Sequence, residues 1–537
     1  MIQTKIYRHA ARVLMALGAA GLLSACTKDF QEVNTNPLLP NDEILARDNL
    51  GIVANIPSLL FQPVYTALGG TGAANNYQVI DNLMVQSWMG YMAPRDAKWN
   101  ANNLTQFSFN NQGWVNGAFV NTTSSALSPW IQIRRKVVDG PVKRPEVFAM
   151  AQITKIMAVH RGVDMYGAIP YSQTGNGSFT VPYDSQESIY ASFFQELTEA
   201  VETLRNYSDL NSLDYVYEGN AAQWAKLGNS LMLRLAMRVR YADPAMSKKY
   251  AEQAASDPSG LILDNADNAQ IDDNSGITPV NSLFIIAKSY DDTRMGASIY
   301  SYLKGYNDPR LTAYFEPYRG GTIDIAVPPA IPATGNEYNS AAGPKVAQFD
   351  PTVWMTASEV ELLLAEAALA GYNVGGTAQS HYEKGVRLSL AQYGISAADA
   401  DAYLQGTTQP IPFKDEINPE YSAGAPSEVT VKWDDALGEE QKLEKIMTQK
   451  YLALYPNGME AWSEWRRTGY PRLIPPNTNI SNAGVVTSDG HKDGVRCFPY
   501  PQNEINLNGD NVNAAIAQYR GGSNTANINV WWDKKTK

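Results

Sequence analysis

The apolar positions divide the chain into segments of two kinds. In the first kind they recur every three or four residues, the spacing of a stripe along one face of an α-helix. Ile189, Phe193, Leu197, Val201 and Leu204 make one stripe, and Trp224, Leu227, Leu231, Leu235 and Val239 the next. Val360, Leu363, Leu364 and Ala367 form a third, Tyr382, Val386 and Leu390 a fourth, and Leu443, Ile446, Met447, Tyr451 and Leu454 a fifth. A further helix is expected over 148–163, ending before Gly167. Consecutive stripes fall in pairs: 189–204 with 224–239, and 360–370 with 382–393 across Gly371, Gly375 and Gly376. Pairs of this size, with Ala365, Ala367 and Ala368 where helices approach, predict a mainly α fold of tetratricopeptide-like helix pairs. In the second kind of segment no period holds. Residues 95–130 and 316–350 read as the longest loops, rich in Asn, Gly, Pro and aromatic residues. Loops of that length in a compact domain are functional or disordered, and their tryptophans and tyrosines argue against disorder.

The amino terminus carries another pattern. Lys5, Arg8 and Arg12 precede an almost purely apolar run over 13–25, which ends at Leu23-Ser24-Ala25-Cys26. A basic start and a short apolar stretch open an export signal, and the run is shorter than the roughly 20 residues of a bilayer span. Cys26 is one of two cysteines in the chain, the other being Cys497. Half of a disulfide, a core thiol and an attachment point are its three readings. The stretch around it resembles the bacterial lipobox, whose cysteine is acylated and becomes the new amino terminus. That resemblance implies a signal peptide over 1–25, a lipidated tether over 26–40 and a single helical domain with a loop-rich lobe over 41–537. Each buried acyl CH₂ contributes about 0.8 kcal/mol, and stable anchoring takes more than one chain.

Composition narrows the partners. The full chain carries a net charge of −11. Residues 1–25 hold three basic and no acidic residues, so without them the charge is −14. An acidic chain repels phosphate backbones, so no nucleic-acid partner is expected. Histidines 9, 160, 381 and 491 stand far apart, and no HExxH, CxxC, GxSxG or glycine-rich phosphate loop is present. No metal, cofactor or catalytic residue is therefore assigned. Tyrosine (30) and tryptophan (11) are abundant, and Asn is dense in the loops. Asp264, Asp267, Asp272 and Asp273 make an acidic loop without the EF-hand pattern, read as solvated rather than as a calcium site.

A family is recognisable in a series of motifs running in order along nearly the whole chain. They begin at Phe30-Gln31-Glu32-Val33-Asn34 and continue at Asp164-Met165-Tyr166-Gly167-Ala168-Ile169-Pro170 and Trp224-Ala225-Lys226-Leu227-Gly228-Asn229. Asn307-Asp308-Pro309-Arg310-Leu311, Glu359-Val360-Glu361-Leu362-Leu363-Leu364-Ala365-Glu366 and Glu460-Ala461-Trp462-Ser463-Glu464-Trp465-Arg466-Arg467 follow. Val530-Trp531-Trp532-Asp533 closes the series. With these the chain resembles the SusD/RagB-like outer-membrane lipoproteins of Bacteroidetes, in particular the second SusD-like subgroup. One departure is Ala168, where the family commonly has Asp; the position is read as structural. The resemblance implies a mainly helical, tetratricopeptide-like fold with loops forming the ligand face. It also implies a cell-surface, non-enzymatic nutrient-binding lipoprotein in the outer membrane, partnered by a SusC-like TonB-dependent transporter. Its ligand would be a glycan, or an oligopeptide in some members, and Lys28-Asp29 looks like the address to the outer surface.

Two sets of residues remain to be weighed. Glu359, Glu361 and Glu366, and Arg466-Arg467 with Glu460 and Glu464, read as structural ion pairs rather than as acid/base or anion-binding groups. The ligand-site candidates are Trp88, Tyr91, Trp99, Asn100, Asn102 and Trp114. Flat rings cover the C–H faces of sugars, and Asn amides both donate to and accept from hydroxyls. The competing readings are a surface glycoside hydrolase, for which two carboxylates roughly 5–9.5 Å apart would suffice, and a helical-repeat protein that binds only its transporter.

Overall fold

The computed structural model describes residues 54–66, 72–96, 104–332, 335–485 and 494–535. Eight helices make four antiparallel-type pairs: α1 (Pro145–Tyr166) with α2 (Gln186–Leu204), α3 (Ala221–Arg238) with α4 (Pro244–Ser256), α5 (Ala357–Leu369) with α6 (Ala378–Gln392), and α7 (Glu439–Leu454) with α8 (Gly458–Thr468). Each helix begins where its sequence directs. Ser185, Asn220, Asp243, Thr356, Thr377 and Asn457 turn a side-chain oxygen onto a backbone N–H of the first turn. Pro145 and Pro244 occupy first positions, where a missing N–H costs nothing. Gly167 ends α1 at φ +76° and Gly469 ends α8 at φ +86°, conformations open to glycine.

Close packing of α3 on α2 and of α6 on α5 depends on single glycines. A Cβ on Gly228 of α3 would lie 2.7 Å from Val201 of α2, and one on Gly385 of α6 would lie 2.8 Å from Leu362 of α5. The mainly α architecture is the one expected, and 189–204 packs on 224–239 (α2 on α3) and 360–370 on 382–393 (α5 on α6) as the periodicity pairs them, but α2 packs equally on α1, and α3 on α4. The 95–130 segment is not one loop, however: Gln112–Thr122 and Ser124–Val137 are helical. The described residues of 316–350 are largely irregular, with the two-residue strand Gly343–Pro344 paired to Phe315–Glu316 and Val327 bridged to Gly296. No helix among the described residues is long and apolar enough to cross a membrane.

Buried charge joins the pairs. Arg234 of α3 donates from Nε and Nη2 to Glu359 of α5, both at 2.7 Å. Arg467 of α8 makes a two-pronged bridge to Glu366 of α5 at 2.6 and 2.7 Å. Arg238 bonds Glu460. Arg466 lies 3.3 Å from the Trp462 ring centroid and 4.6 Å from that of Trp532, and donates to the carbonyls of Asp164 and Arg496. These arginines therefore lock α8 to α1, α3, α5 and the carboxyl-terminal segment, as the structural reading of the Glu and Arg motifs requires. Buried ions are retained only when paired and hydrogen-bonded. Ala168, buried, accepts at its carbonyl from Tyr500 Oη at 2.7 Å, a backbone role that is indifferent to its side chain.

Candidate functional site

Two short antiparallel ladders bring distant loops together at the surface. Met92–Pro94 pairs with Thr293–Met295, with Ala93 opposite Arg294. This register sets Arg95 beside the 291–292 turn. Phe315–Glu316 pairs with Gly343–Pro344, which brings Tyr318 near the turn that carries Asn336 and Asn339. The ends of the two segments first read as the longest loops thus meet: Arg95 Nη1 donates to Asn339 Oδ1 at 2.7 Å and to Asn336 Oδ1 at 3.2 Å.

Asp291 is the hub of this rim. It accepts from Arg294 Nη2 at 2.7 Å and from Arg319 Nη2 at 2.5 Å, and Arg95 lies 3.9 Å away. Partial burial works to raise its pKa, but the bond from Arg294 and the charges of Arg294, Arg319 and Arg95 outweigh it and hold the carboxylate below its usual range. Its φ of +56° is a left-handed value that few side chains adopt, and such residues gather at functional sites. The guanidinium of Arg294 stands 4.4 Å from the centroid of the half-buried Tyr318 ring, which stiffens the ring without hiding it. Tyr318, Arg319, Asn336 and Asn339 retain surface, so the rim offers a ring face, amides and guanidinium donors in one place.

The sequence-derived candidates are placed differently. Tyr91 is fully buried: its ring stacks on Tyr451 with centroids 4.5 Å apart, its hydroxyl bonds the Tyr451 carbonyl, and Tyr451 Oη bonds the Met89 carbonyl at 2.8 Å. It is a core residue, and its assignment as a ligand contact is corrected. A ring that packs a loop onto a core and one that meets a sugar have the same sequence signature. Trp88 is half-buried in an aromatic cluster with Phe107, Phe109, Trp462 and Phe498, and its indole N–H donates to the Leu104 carbonyl at 2.9 Å. Trp114, half-buried, begins the helix Gln112–Thr122, which packs against Gln502–Leu507. Trp99, Asn100, Asn102 and Cys26 lie outside the described residues. Arg95, Asp291, Tyr318, Asn336 and Asn339 were not singled out from the sequence, although four of them fall in or at the edge of the two segments marked as functional loops. In the acidic loop, Asp264 and Asp272 cap backbone amides and Asp267 pairs with Lys226 at 2.8 Å.

A stack of helix pairs that holds a polar and aromatic rim on irregular loops defines a helical-repeat protein with its chemistry on one loop face. The chain belongs to the SusD-like family: the family model "Susd and RagB outer membrane lipoprotein" matches residues 32–533. Among solved structures, a chitin-binding SusD homolog from Flavobacterium johnsoniae is 32% identical, with a TM-score of 0.83 over 90% of this chain and 99% of that one. A SusD homolog from Bacteroides vulgatus is 30% identical, with a TM-score of 0.84 over 91% of this chain and 99% of that one. One from Bacteroides uniformis is 35% identical, with a TM-score of 0.80 over 90% and 99%. A comparison with curated proteins gives no match.

Proposed function

We propose that the chain is a non-catalytic, cell-surface glycan-binding lipoprotein that captures short saccharides at the Arg95–Asp291–Tyr318 rim. In this reading it passes them to a SusC-like TonB-dependent transporter and is held at the outer membrane through acylated Cys26, facing the exterior. The observation that carries the reading is the half-buried Tyr318 ring in one rim with Asn336, Asn339, Arg95 and Arg319. Trp99, Asn100 and Asn102, which follow Arg95 in the sequence, would add a second ring and two amides. The chitin-binding relative, 32% identical over nearly its whole length, supports glycan over oligopeptide. Against a hydrolase stands the engagement of Glu366 and Glu460 by arginines, whose charges outweigh burial and hold both carboxyls below their usual range.

The test is calorimetric titration of chitooligosaccharides into the wild-type chain and Tyr318→Ala. A stacked ring contributes about 1–2 kcal/mol, so the variant should bind at least about fivefold more weakly with unchanged folding. Equal affinity of the two proteins, or release of reducing sugar by the wild type, would refute the reading.

A further inference from the structure

A cavity of about 920 Å³ runs from the surface into the protein, separate from the rim. Its outer end is lined by the exposed Lys345, Ala347 and Asp350, and its inner end by the buried Gln86, His160 and Met459. The volume is in the upper part of the roughly 300–1,000 Å³ range of small-molecule sites. Glu316 at its side is bonded to Lys288 at 2.5 Å, and that ammonium lies 5.3 Å from the Tyr318 ring centroid, so cavity and rim are neighbours.

Three deeply buried lining residues hold polar atoms with no hydrogen-bond partner: Tyr65 Oη (residue 3% exposed), Trp354 Nε1 (2%) and Tyr455 Oη (7%). Asn265 Oδ1, on the same wall, is a fourth. Buried polar groups are almost always partnered, and an unmet one costs about 1–3 kcal/mol. Four of the unpartnered buried atoms among the described residues belong to the lining of this one cavity. The chemistry of the set is specific. The indole N–H only donates, the amide oxygen only accepts, and each phenol does both. Burial holds both tyrosine hydroxyls in their protonated form. The deeply buried charged groups Arg161 and Arg234 are already matched: Arg161 bonds both oxygens of Asp81 at 2.8 and 2.9 Å, and Arg234 both oxygens of Glu359, whereas Lys345 and Asp350 stand at the exposed mouth. A charged ligand would find no free counter-ion beside Arg161 and Arg234 in the interior, and a hydrocarbon would leave the four atoms unmet.

From this geometry we infer that the cavity is a second, internal binding site for a neutral polyhydroxylated ligand, a saccharide of one to three rings, held by Tyr65, Asn265, Trp354 and Tyr455. Each hydroxyl of a saccharide can both donate and accept without bringing charge. The site goes beyond the rim reading and stands or falls separately from it.

The experiment uses the full chain with Cys26→Ala, and N,N′-diacetylchitobiose and maltotriose as probes. Two binding sites per chain are expected for at least one probe. Tyr318→Ala should remove only the rim site. Tyr65→Phe with Tyr455→Phe, which deletes two hydroxyls and no packing, should weaken only the other, by about tenfold or more. A crystal soaked in the same probe should show a sugar ring within hydrogen-bond distance of Trp354 Nε1. A single site that Tyr318→Ala abolishes and the phenylalanine pair leaves intact would overturn the inference and keep the rim. No binding by either probe would sink both. Ordered water alone on the four atoms, or this chain's own amino-terminal residues in the cavity, would overturn it as well.

Discussion

Glu366 is the sharpest test of whether the buried carboxylates are structural. It is 0% exposed, as is Arg467, whose Nη1 and Nη2 it receives at 2.6 and 2.7 Å. Arg240 Nη1 adds a third bond at 3.2 Å. Burial works to raise its pKa, but the charge and bonds of Arg467, with Arg240, outweigh it and hold the carboxyl below the usual range. Glu366→Gln keeps the shape, removes the charge and turns one oxygen into a donor facing an arginine N–H. Breaking one side of a buried pair costs about 3–5 kcal/mol. Glu464, also bonded to Arg467, neutralises part of the remaining charge, so a loss near the lower figure, about 3 kcal/mol, is expected. Urea unfolding followed by far-UV circular dichroism measures it. Replacing both partners, Glu366→Leu with Arg467→Met, should recover most of the loss, because a well-packed apolar pair is nearly equivalent in such a site. If Glu366→Gln unfolded at the wild-type midpoint yet abolished ligand binding or turnover, the carboxylate would be a functional group and the structural argument would fail.

Three further outcomes follow from other groups. Cys26→Ala should move the protein from the membrane fraction to the soluble fraction without changing its circular dichroism; retention in the outer membrane without acylation would refute the lipobox reading. His160 is buried, and burial first, then Arg234, pushes its pKa down from 6.5 to about 3. Its folded value lies below its unfolded one, so its stabilising contribution is complete above about pH 6.5 and is lost as pH falls toward 3, by roughly 1.4 kcal/mol per pH unit. His160→Leu should therefore unfold less steeply with acid over that window, and parallel wild-type and variant curves of urea midpoint against pH would refute this. Asp291→Asn leaves Arg95, Arg294 and Arg319 without their shared carboxylate and should weaken saccharide binding by about fivefold or more, read by calorimetry, and also lower the unfolding midpoint, because the fully buried Arg294 loses its counter-ion.

The helix pairs were legible because their stripes are amphipathic: Ile189 to Leu204 and Leu443 to Leu454 bury one face at helical spacing. The helix Gln112–Thr122 was not, since Gly113, Asn116, Gly117 and Asn121 are weak helix formers and it is held by the Asn111 cap and tertiary contact. Ser124–Val137 hid behind Pro129, which usually interrupts a helix. Helix Pro244–Ser256 buries only Ser247, Ala251 and Ala254, too faint a stripe to stand out. The rim was invisible for a different reason. Arg95 and Asn339 are far apart in sequence, and their meeting depends on two ladders of two or three residues each. Nothing periodic announces such a contact. Aromatic density marked the loops but could not separate buried rings from solvent-facing ones, since the Tyr91 and Tyr318 positions differ only in what the fold puts above them.

The division of charge between interior and rim bears on how the protein can be altered. Arg234, Arg238, Arg466 and Arg467 are each at most 2% exposed, and between them they tie four helices to the carboxyl-terminal segment. Their partners are fixed by geometry, so substitution there propagates through the scaffold. Apart from the buried Arg294, rim groups are partly solvated and bonded to one another rather than to the helices: Arg95 meets Asn336 and Asn339, and Asp291 meets Arg319 as well as Arg294. Exposed pairs contribute about 0–1 kcal/mol to folding. Ligand preference can therefore change at the rim with little loss of stability, whereas the buried clusters admit change only in pairs. Families that share this scaffold at 30–35% identity have room to differ on the loop face while their helices superpose, as the TM-scores of 0.80 to 0.84 require.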